Sequence, residues 1–152
     1  MIRPEILHAL SQDELIELTT YGRKTGQPHI IECRFMYAGD KVYVSGFPGK
    51  RDWVANIKNN PKALIHIKQS AEAMIQAEGR VVTREKERRS FLVRYMEFWS
   101  PINPIEKLVR FFVINSAKVW IRLGLSMWGP MWPIGRIMKR MPLVEFTLLQ
   151  EV

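Results

Sequence analysis

Two short basic segments hold the residue types that could do chemistry in this chain. The first runs from Tyr21 to Pro28 and the second from Ser45 to Trp53. Each segment combines two glycines with a pair of adjacent cations: Arg23, Lys24, Lys50 and Arg51. Glycine lets successive backbone amides turn toward one anion, while arginine and lysine supply the counter-charge. Both segments therefore suit a phosphate group. Neither has the spacing of a P-loop, and the alternative is that both are simply solvated basic loops.

The neighbouring residues extend this predicted anion site. Thr25 adds a hydroxyl donor and Gly26 a flexible backbone position to the first segment. The second segment leads into a predicted helix, Asp52–Lys58, whose first residue is the predicted N-cap, and a helix N-terminus attracts anions. On this helix Asn56 lies about one turn beyond Trp53. In an antiparallel meander the turn after the first strand and the loop after the third lie at one end, so we expect both segments to converge on one phosphate.

The remaining sequence predicts the elements that would position these segments. Short β-branched and aromatic runs between turns predict an antiparallel meander that closes into a barrel. Residues 38–40 are predicted as a hairpin turn, since glycine and aspartate tolerate positive φ. Helices are predicted at 1–13, 83–99 and 105–123, which makes the fold class α+β and mainly antiparallel β. Six strands are predicted: Leu15–Thr20, Pro28–Ala38, Val42–Val44, Ala63–Ile67, Ala73–Thr83 and Leu143–Leu149.

The composition is that of a single globular domain, 1–152. Hydrophobic residues make up 47% and charged residues 25% of the 152 residues, which suffices for one core. The lone Cys33 cannot form an internal disulfide, which favours a reducing compartment and predicts a cytoplasmic protein. No signal peptide or membrane-spanning run is expected. The three histidines lack metal-ligand spacing, so no metal site is expected.

The net charge of +8 is unevenly distributed along the chain. Seven cations and one anion lie between positions 100 and 140, so this segment alone carries +6. Such asymmetry points to an anionic partner, which could be cofactor phosphates, lipid headgroups or nucleic acid. The chain lacks a recognition helix or an aromatic stacking platform, and we therefore expect no nucleic-acid partner.

Two sequence motifs resemble one protein family. The run from Leu18 to Pro28 and the later run from Trp53 to Pro61 are similar to the signature of the deazaflavin-dependent nitroreductases. The resemblance covers about residues 14–98, with Met141–Val144 at the last strand. That family belongs to the split-barrel flavin-binding superfamily, alongside pyridoxamine-phosphate-oxidase-like proteins. The resemblance implies a six-stranded split β-barrel with flanking helices and a helical insertion at about 99–140, before the last strand.

The resemblance also implies an activity and a set of cofactor contacts. The activity is reduction of a hydrophobic organic acceptor, such as a quinone or nitroaromatic, by a hydride from reduced coenzyme F-420, an 8-hydroxy-5-deazaflavin. The cofactor carries the hydride chemistry, so no catalytic side chain is expected. His29 stands where the family commonly has arginine, which leaves FMN as the alternative cofactor. The implied cofactor-binding residues are Arg23, Lys24, Thr25, Gly26, Lys50, Arg51, Trp53 and Asn56.

The predicted insertion contains a basic amphipathic helix. Apolar residues of the helix predicted at 105–123 fall on one face, with its cations largely away from that face. A basic, tryptophan-bearing amphipathic helix can lie on an anionic membrane, in which case the protein would be peripheral on the inner face. Packing on the barrel or on a dimer mate, or a roof over the substrate pocket, are the alternatives. The apolar face comprises Ile105, Leu108, Val109, Phe112, Val113, Val119, Trp120 and Leu123.

A non-enzymatic barrel that holds a lipid, fatty acid or tetrapyrrole is the competing hypothesis from a different class. Arg23, Lys24, Lys50 and Arg51 separate the two hypotheses, because a lipid carrier has no need for two converging cationic loops. Analogy with other split barrels allows a homodimer.

Overall fold

The computed structural model describes residues 1–46, 49–98, 104–125, 136–137 and 139–152, apart from the side chains of Met96 and Phe98. The chain forms two compact units. The first contains Met1–Val82 and Pro142–Val152, and the second contains Thr83–Met141. The second unit begins before the predicted insertion, because it includes the helix that follows the sixth strand. The assignment of 1–152 to one domain stays a prediction.

The first unit is a curled antiparallel sheet. Its strand order is β2-β1-β5-β6-β7-β4-β3. Strands β2 and β3 lie at opposite ends of this order although only Phe35 separates them along the chain. The sheet must therefore curl back on itself, which is the predicted barrel. The strands are β1 Leu15–Tyr21, β2 Pro28–Arg34, β3 Met36–Ala38, β4 Lys41–Ser45, β5 Lys62–Ile67, β6 Ala73–Val81 and β7 Leu143–Glu151.

The described residues contain seven strands instead of the six predicted, because one predicted strand is divided. The run predicted at Pro28–Ala38 breaks at Phe35, whose side chain is buried in the core. The part before the break pairs with β1 and the part after it pairs with β4. The predicted hairpin turn is confirmed, since Gly39 and Asp40 both have positive φ, at 58° and 61°.

Two helices complete the first unit: α1, Pro4–Gln12, and α2, Asp52–Asn59. Both helices bury apolar side chains in the core of the sheet. Gly79 on β6 permits a close approach, because a Cβ there would lie 2.8 Å from both the Ile57 side chain of α2 and the Phe146 ring. A larger residue would push α2 off the sheet.

The N-cap prediction for α2 was wrong. Arg51, with an extended backbone, occupies the N-cap position, and no side chain there caps the helix. Asp52 lies inside the first turn. Its carboxylate points to Arg23, 3.4 Å away, and therefore pairs with the neighbouring turn.

The second unit contains α3, Glu85–Phe98, and α4, Pro104–Arg122. Leu92 and Val93 of α3 pack with Ala117 of α4 in a small apolar core. In α4 the buried residues are Val113 and Ala117. Most of the predicted apolar face of α4 is exposed: Ile105, Leu108, Val109, Phe112, Val119 and Leu123. Among the described residues, no helix has the length and apolar content needed to cross a membrane.

Candidate functional site

The turn between β1 and β2 is closed by its own hydrogen bonds. The Gly22 amide donates to the Gln27 carbonyl at 2.8 Å, and the Gly26 amide donates to the Gly22 carbonyl at 2.7 Å. Gly26 has a φ of 68°, a conformation that favours glycine. The Thr25 hydroxyl accepts the Gln27 amide at 3.3 Å. These bonds hold the exposed Arg23 and Lys24 on a defined backbone.

Gly22 is required by close packing within this turn. A Cβ at Gly22 would lie 2.9 Å from the Thr25 hydroxyl oxygen and 3.1 Å from Nε2 of His29. The absence of a side chain at this position lets Thr25 and His29 approach the backbone. His29 therefore packs against the first basic turn.

Asn56 joins the turn to α2. Its side chain is 4% exposed, and its amide nitrogen donates to the Thr20 hydroxyl at 3.3 Å. Its amide oxygen accepts the backbone N–H of Arg23 at 3.3 Å. Both ends of the Asn56 amide are therefore used to position the turn.

The second basic segment meets the first at the N-terminus of α2. Lys50 and Arg51 are exposed and directly precede this helix, while Arg23 contacts its first residue, Asp52. Arg23, Lys50 and Arg51 thus lie at or next to the N-terminus of α2, and Lys24 follows Arg23 in the adjoining turn. Residues 47–48 of this segment lie outside the described residues. In the described part of the chain, Lys24 and Lys50 make no ion pair.

Trp53 lies on the core side of the second segment. Its ring is half-buried against the core of the first unit. A Cβ at Gly46 would lie 3.6 Å from this ring, so the ring covers the backbone where β4 ends. The described contacts of Trp53 and Asn56 are with protein groups.

A cavity of about 350 Å³ lies next to the first turn. Tyr21, which precedes the turn, and Asn60, which follows α2, both line it. Leu149 also lines it, at the position where the β6–β7 register shifts between Gln76 and Ala77. Such bulges re-aim side chains and are common near functional sites. The complete lining is Tyr21, Asn60, Lys62, Ala63, Leu64, Gln76, Ala77 and Leu149.

The cavity residues were absent from the predicted site. Tyr21 could have been found, because it directly precedes the first basic turn at the end of a predicted strand. Leu149 carries no such signal, since the bulge that places it depends on the pairing of distant strands. Burial raises the pKa of the Cys33 thiol to about 12, so the thiol stays protonated at neutral pH.

The sequence match that decides the family covers residues 3–101, which include both basic segments, α2 and the β1–β6 part of the sheet. The matching family is described as F420H(2)-dependent quinone reductase. The chain belongs to this family. The resemblance to deazaflavin-dependent reductases is therefore confirmed, and the protein is an F-420-dependent oxidoreductase.

Solved structures similar to this chain show that its fold is the predicted split barrel. An F-420 reductase shares 14% identity at a TM-score of 0.54, with 95% of this chain and 94% of that chain covered. A general-stress-protein-26-related protein of the pyridoxinephosphate oxidase family, from Clostridium acetobutylicum, shares 14% identity at a TM-score of 0.58, covering 97% and 89%. An FAD-binding protein from Mesorhizobium loti shares 13% identity at a TM-score of 0.54, covering 99% and 92%.

The residues of the site fit the phosphate-bearing cofactor of this family. Exposed cations lie on the two basic segments that meet at the N-terminus of α2, and a Cβ at Gly22 would intrude on the adjoining turn. Asp52 is an unfavourable charge for an anion here, and its carboxylate is 91% exposed beside Arg23. The cations outnumber it, so the local charge favours an anion.

Proposed function

We propose that this protein transfers a hydride from reduced F-420 to a hydrophobic acceptor, with a quinone as the preferred substrate and nitroaromatics as secondary ones. The observation that carries the proposal is that a cavity with apolar lining borders Tyr21, which is joined directly to the first basic turn. Tyr21 precedes Arg23 by two residues, and the cavity reaches from Tyr21 to Asn60 at the C-terminal end of α2. A cofactor anchored by phosphate at the cations would therefore have its ring system within reach of the cavity.

The cofactor contacts are proposed as follows. Arg23, Lys24, Lys50 and Arg51 bind the phosphate, and Thr25 and Gly26 shape the turn that presents the first two cations. Asn56 and Trp53 act as positioning residues, because their contacts hold the turn and the end of β4 in place. When bound, reduced F-420 supplies the hydride, and the protein binds, orients and excludes water.

The cavity is proposed as the place where ring and acceptor meet. Its volume of about 350 Å³ lies within the range of small-molecule sites, about 300–1,000 Å³. Leu64 and Leu149 offer apolar surface, while Tyr21, Lys62 and Gln76 offer polar groups at its edge. A flat apolar acceptor with two carbonyl oxygens suits such a lining.

An acceptor-dependent oxidation assay tests this proposal. We would mix purified protein with reduced F-420 and follow the return of the oxidised absorbance with menadione, with a nitroaromatic, and with no acceptor. We expect turnover with both acceptors, faster with the quinone. A parallel series with reduced FMN tests the alternative cofactor. Turnover with FMN and none with F-420 would contradict the proposal.

We also propose that α4 places the enzyme on an anionic membrane surface, where apolar quinones reside. The exposed apolar residues recur at helical spacing, and Ile105, Phe112 and Leu123 are 76%, 58% and 65% exposed. The cations Lys107, Lys118 and Arg122 are exposed on the same helix. Apolar insertion and attraction to anionic lipid would act together, at about 1 kcal/mol per cation near the surface. Residence in the cytoplasm stays a prediction that rests on the single cysteine.

Vesicle co-sedimentation of two matched variants tests the membrane proposal. Phe112→Ser removes an apolar side chain from the exposed face of α4, and Ile30→Ser removes one, 64% exposed, from β2. We expect Phe112→Ser to reduce binding to anionic vesicles, with the control unchanged. A wild-type dimer in solution that Phe112→Ser dissociates, without any vesicle binding, would contradict the proposal and assign the α4 face to a second copy.

A further inference from the structure

A groove of about 640 Å³ lies between α3 and α4 in the second unit. Its apolar side is formed by Val93 of α3 with Val119 and Ile121 of α4. Ser90 and Asn115 add neutral hydrogen-bonding groups to the lining. The groove is part of neither the cation cluster around α2 nor the cavity beside Tyr21.

The charges of the groove favour an anion. Arg94, Lys118 and Arg122 line it together with a single carboxylate, that of Glu97. Glu97 pairs with Lys118, so this pair contributes no net charge. Arg94 and Arg122 are exposed and make no ion pair within the described part of the chain. Two guanidinium groups from facing helices offer the forked geometry that binds phosphate oxygens.

The groove also adjoins the apolar face of α4. Val119 belongs to both. It lines the groove, and it is one of the exposed apolar residues of α4, with 53% of its surface accessible. An anionic head bound by the arginines would therefore have apolar surface beside it. A simple phosphate ion would leave that surface unused, whereas a phospholipid would cover it.

We propose that the α3–α4 groove binds the headgroup phosphate of an anionic membrane phospholipid, with Arg94 and Arg122 as its ligands and the exposed face of α4 against the acyl chains. The proposal rests on the membrane association suggested above and adds a defined headgroup site to it. Binding of this kind would hold the enzyme in one orientation on the bilayer.

Two double variants with the same change in charge separate a defined site from diffuse attraction. Arg94→Gln/Arg122→Gln removes the two groove arginines. Arg84→Gln/Lys86→Gln removes two exposed cations of the same unit that do not line the groove. With phosphatidylcholine vesicles that contain phosphatidylglycerol, the groove variant should lose about tenfold or more in partitioning, and the control about twofold or less. Equal losses in both variants, or no loss in the groove variant, would overturn the proposal.

A soluble short-chain phosphatidylglycerol, titrated calorimetrically below its micelle concentration, tests the groove without a bilayer. We expect wild type and the Arg84→Gln/Lys86→Gln variant to bind it and the groove variant to lose it. Binding by wild type without any vesicle association would leave the groove site standing and refute the membrane proposal. Inorganic phosphate that binds as tightly as the lipid would identify a free anion as the ligand and refute the lipid assignment. Unchanged F-420 binding in each variant checks that the first unit is intact.

Discussion

At the scale of single residues, Asp52 competes with the cofactor phosphate for Arg23. The Asp52 carboxylate lies 3.4 Å from the Arg23 guanidinium, and both side chains are substantially exposed. Such a pair contributes about 0.2–1 kcal/mol. A cofactor phosphate that binds Arg23 must therefore displace or share a weakly held partner, and it also meets the negative charge of Asp52.

Asp52→Asn should tighten cofactor binding. The change frees Arg23 and removes a like charge next to the phosphate, so we expect the Kd for F-420 to fall about twofold to fivefold. Fluorescence titration at low salt measures it. Glu72→Gln makes the same change in charge at an exposed position on the β5–β6 connection and should leave the Kd unchanged. Weaker F-420 binding by Asp52→Asn would contradict the idea that Asp52 competes with the phosphate for Arg23.

The two basic segments could be selected as candidates from the sequence, but the contacts of their residues could not be predicted. Glycine and cation spacing sufficed to select both basic segments. The double role of Asn56, which binds Thr20 and Arg23 at once, depends on the packing of α2 against β1. Asp52 was predicted as the N-cap because aspartate is common at that position. In the structure its carboxylate instead pairs with Arg23 of the first basic turn, which is distant in sequence.

At the scale of elements, a buried carboxylate connects three strands. Glu145 of β7 lies opposite Tyr43 of β4 and Arg80 of β6. It accepts hydrogen bonds from Lys41 at 2.8 Å, from Tyr43 at 3.3 Å and from Arg80 at 3.2 Å. Burial raises the pKa of Glu145, but hydrogen bonds from Lys41 and Arg80 outweigh it and leave the pKa below its usual value.

Glu145→Gln should destabilise the protein in a pH-dependent way. Because the folded-state pKa is lowered, the stabilisation is present at neutral pH and is lost as the pH falls through that lowered pKa. We expect the free energy of unfolding to drop by about 1–3 kcal/mol at neutral pH, with the difference shrinking in acid. Urea unfolding across a pH series measures it. Exposed Glu32→Gln is the control, and a pH-independent difference would contradict this account.

Elements were predictable where a local pattern governs them. Strand β6 follows its alternation, with Ala73, Ile75, Ala77 and Gly79 all buried. The division of the second predicted strand at Phe35 was missed, because the bend is caused by curling of the whole sheet. The apolar stripe on α4 was recognised, but Ala117, which packs on α3, was not assigned to a face.

At the scale of the whole molecule, the two units carry separate functions in this account. The first unit holds the cation cluster around α2 and the adjoining cavity, and the second holds the exposed face and groove of α4. The family match establishes a deazaflavin-dependent oxidoreductase, and the charges at the turn fit its phosphate-bearing cofactor. The central claim is that the phosphate of F-420 binds at Arg23 and Lys24.

Equilibrium titration of Arg23→Gln/Lys24→Gln with F-420 tests this claim most directly. Both side chains are exposed, so the variant should fold and show an unchanged melting temperature. Each charge-assisted contact contributes about 1.5–3 kcal/mol, so the account predicts a Kd raised about tenfold or more. The Arg84→Gln/Lys86→Gln variant, with the same change in charge, should bind as the wild type does. A folded Arg23→Gln/Lys24→Gln variant with the wild-type Kd would contradict the account.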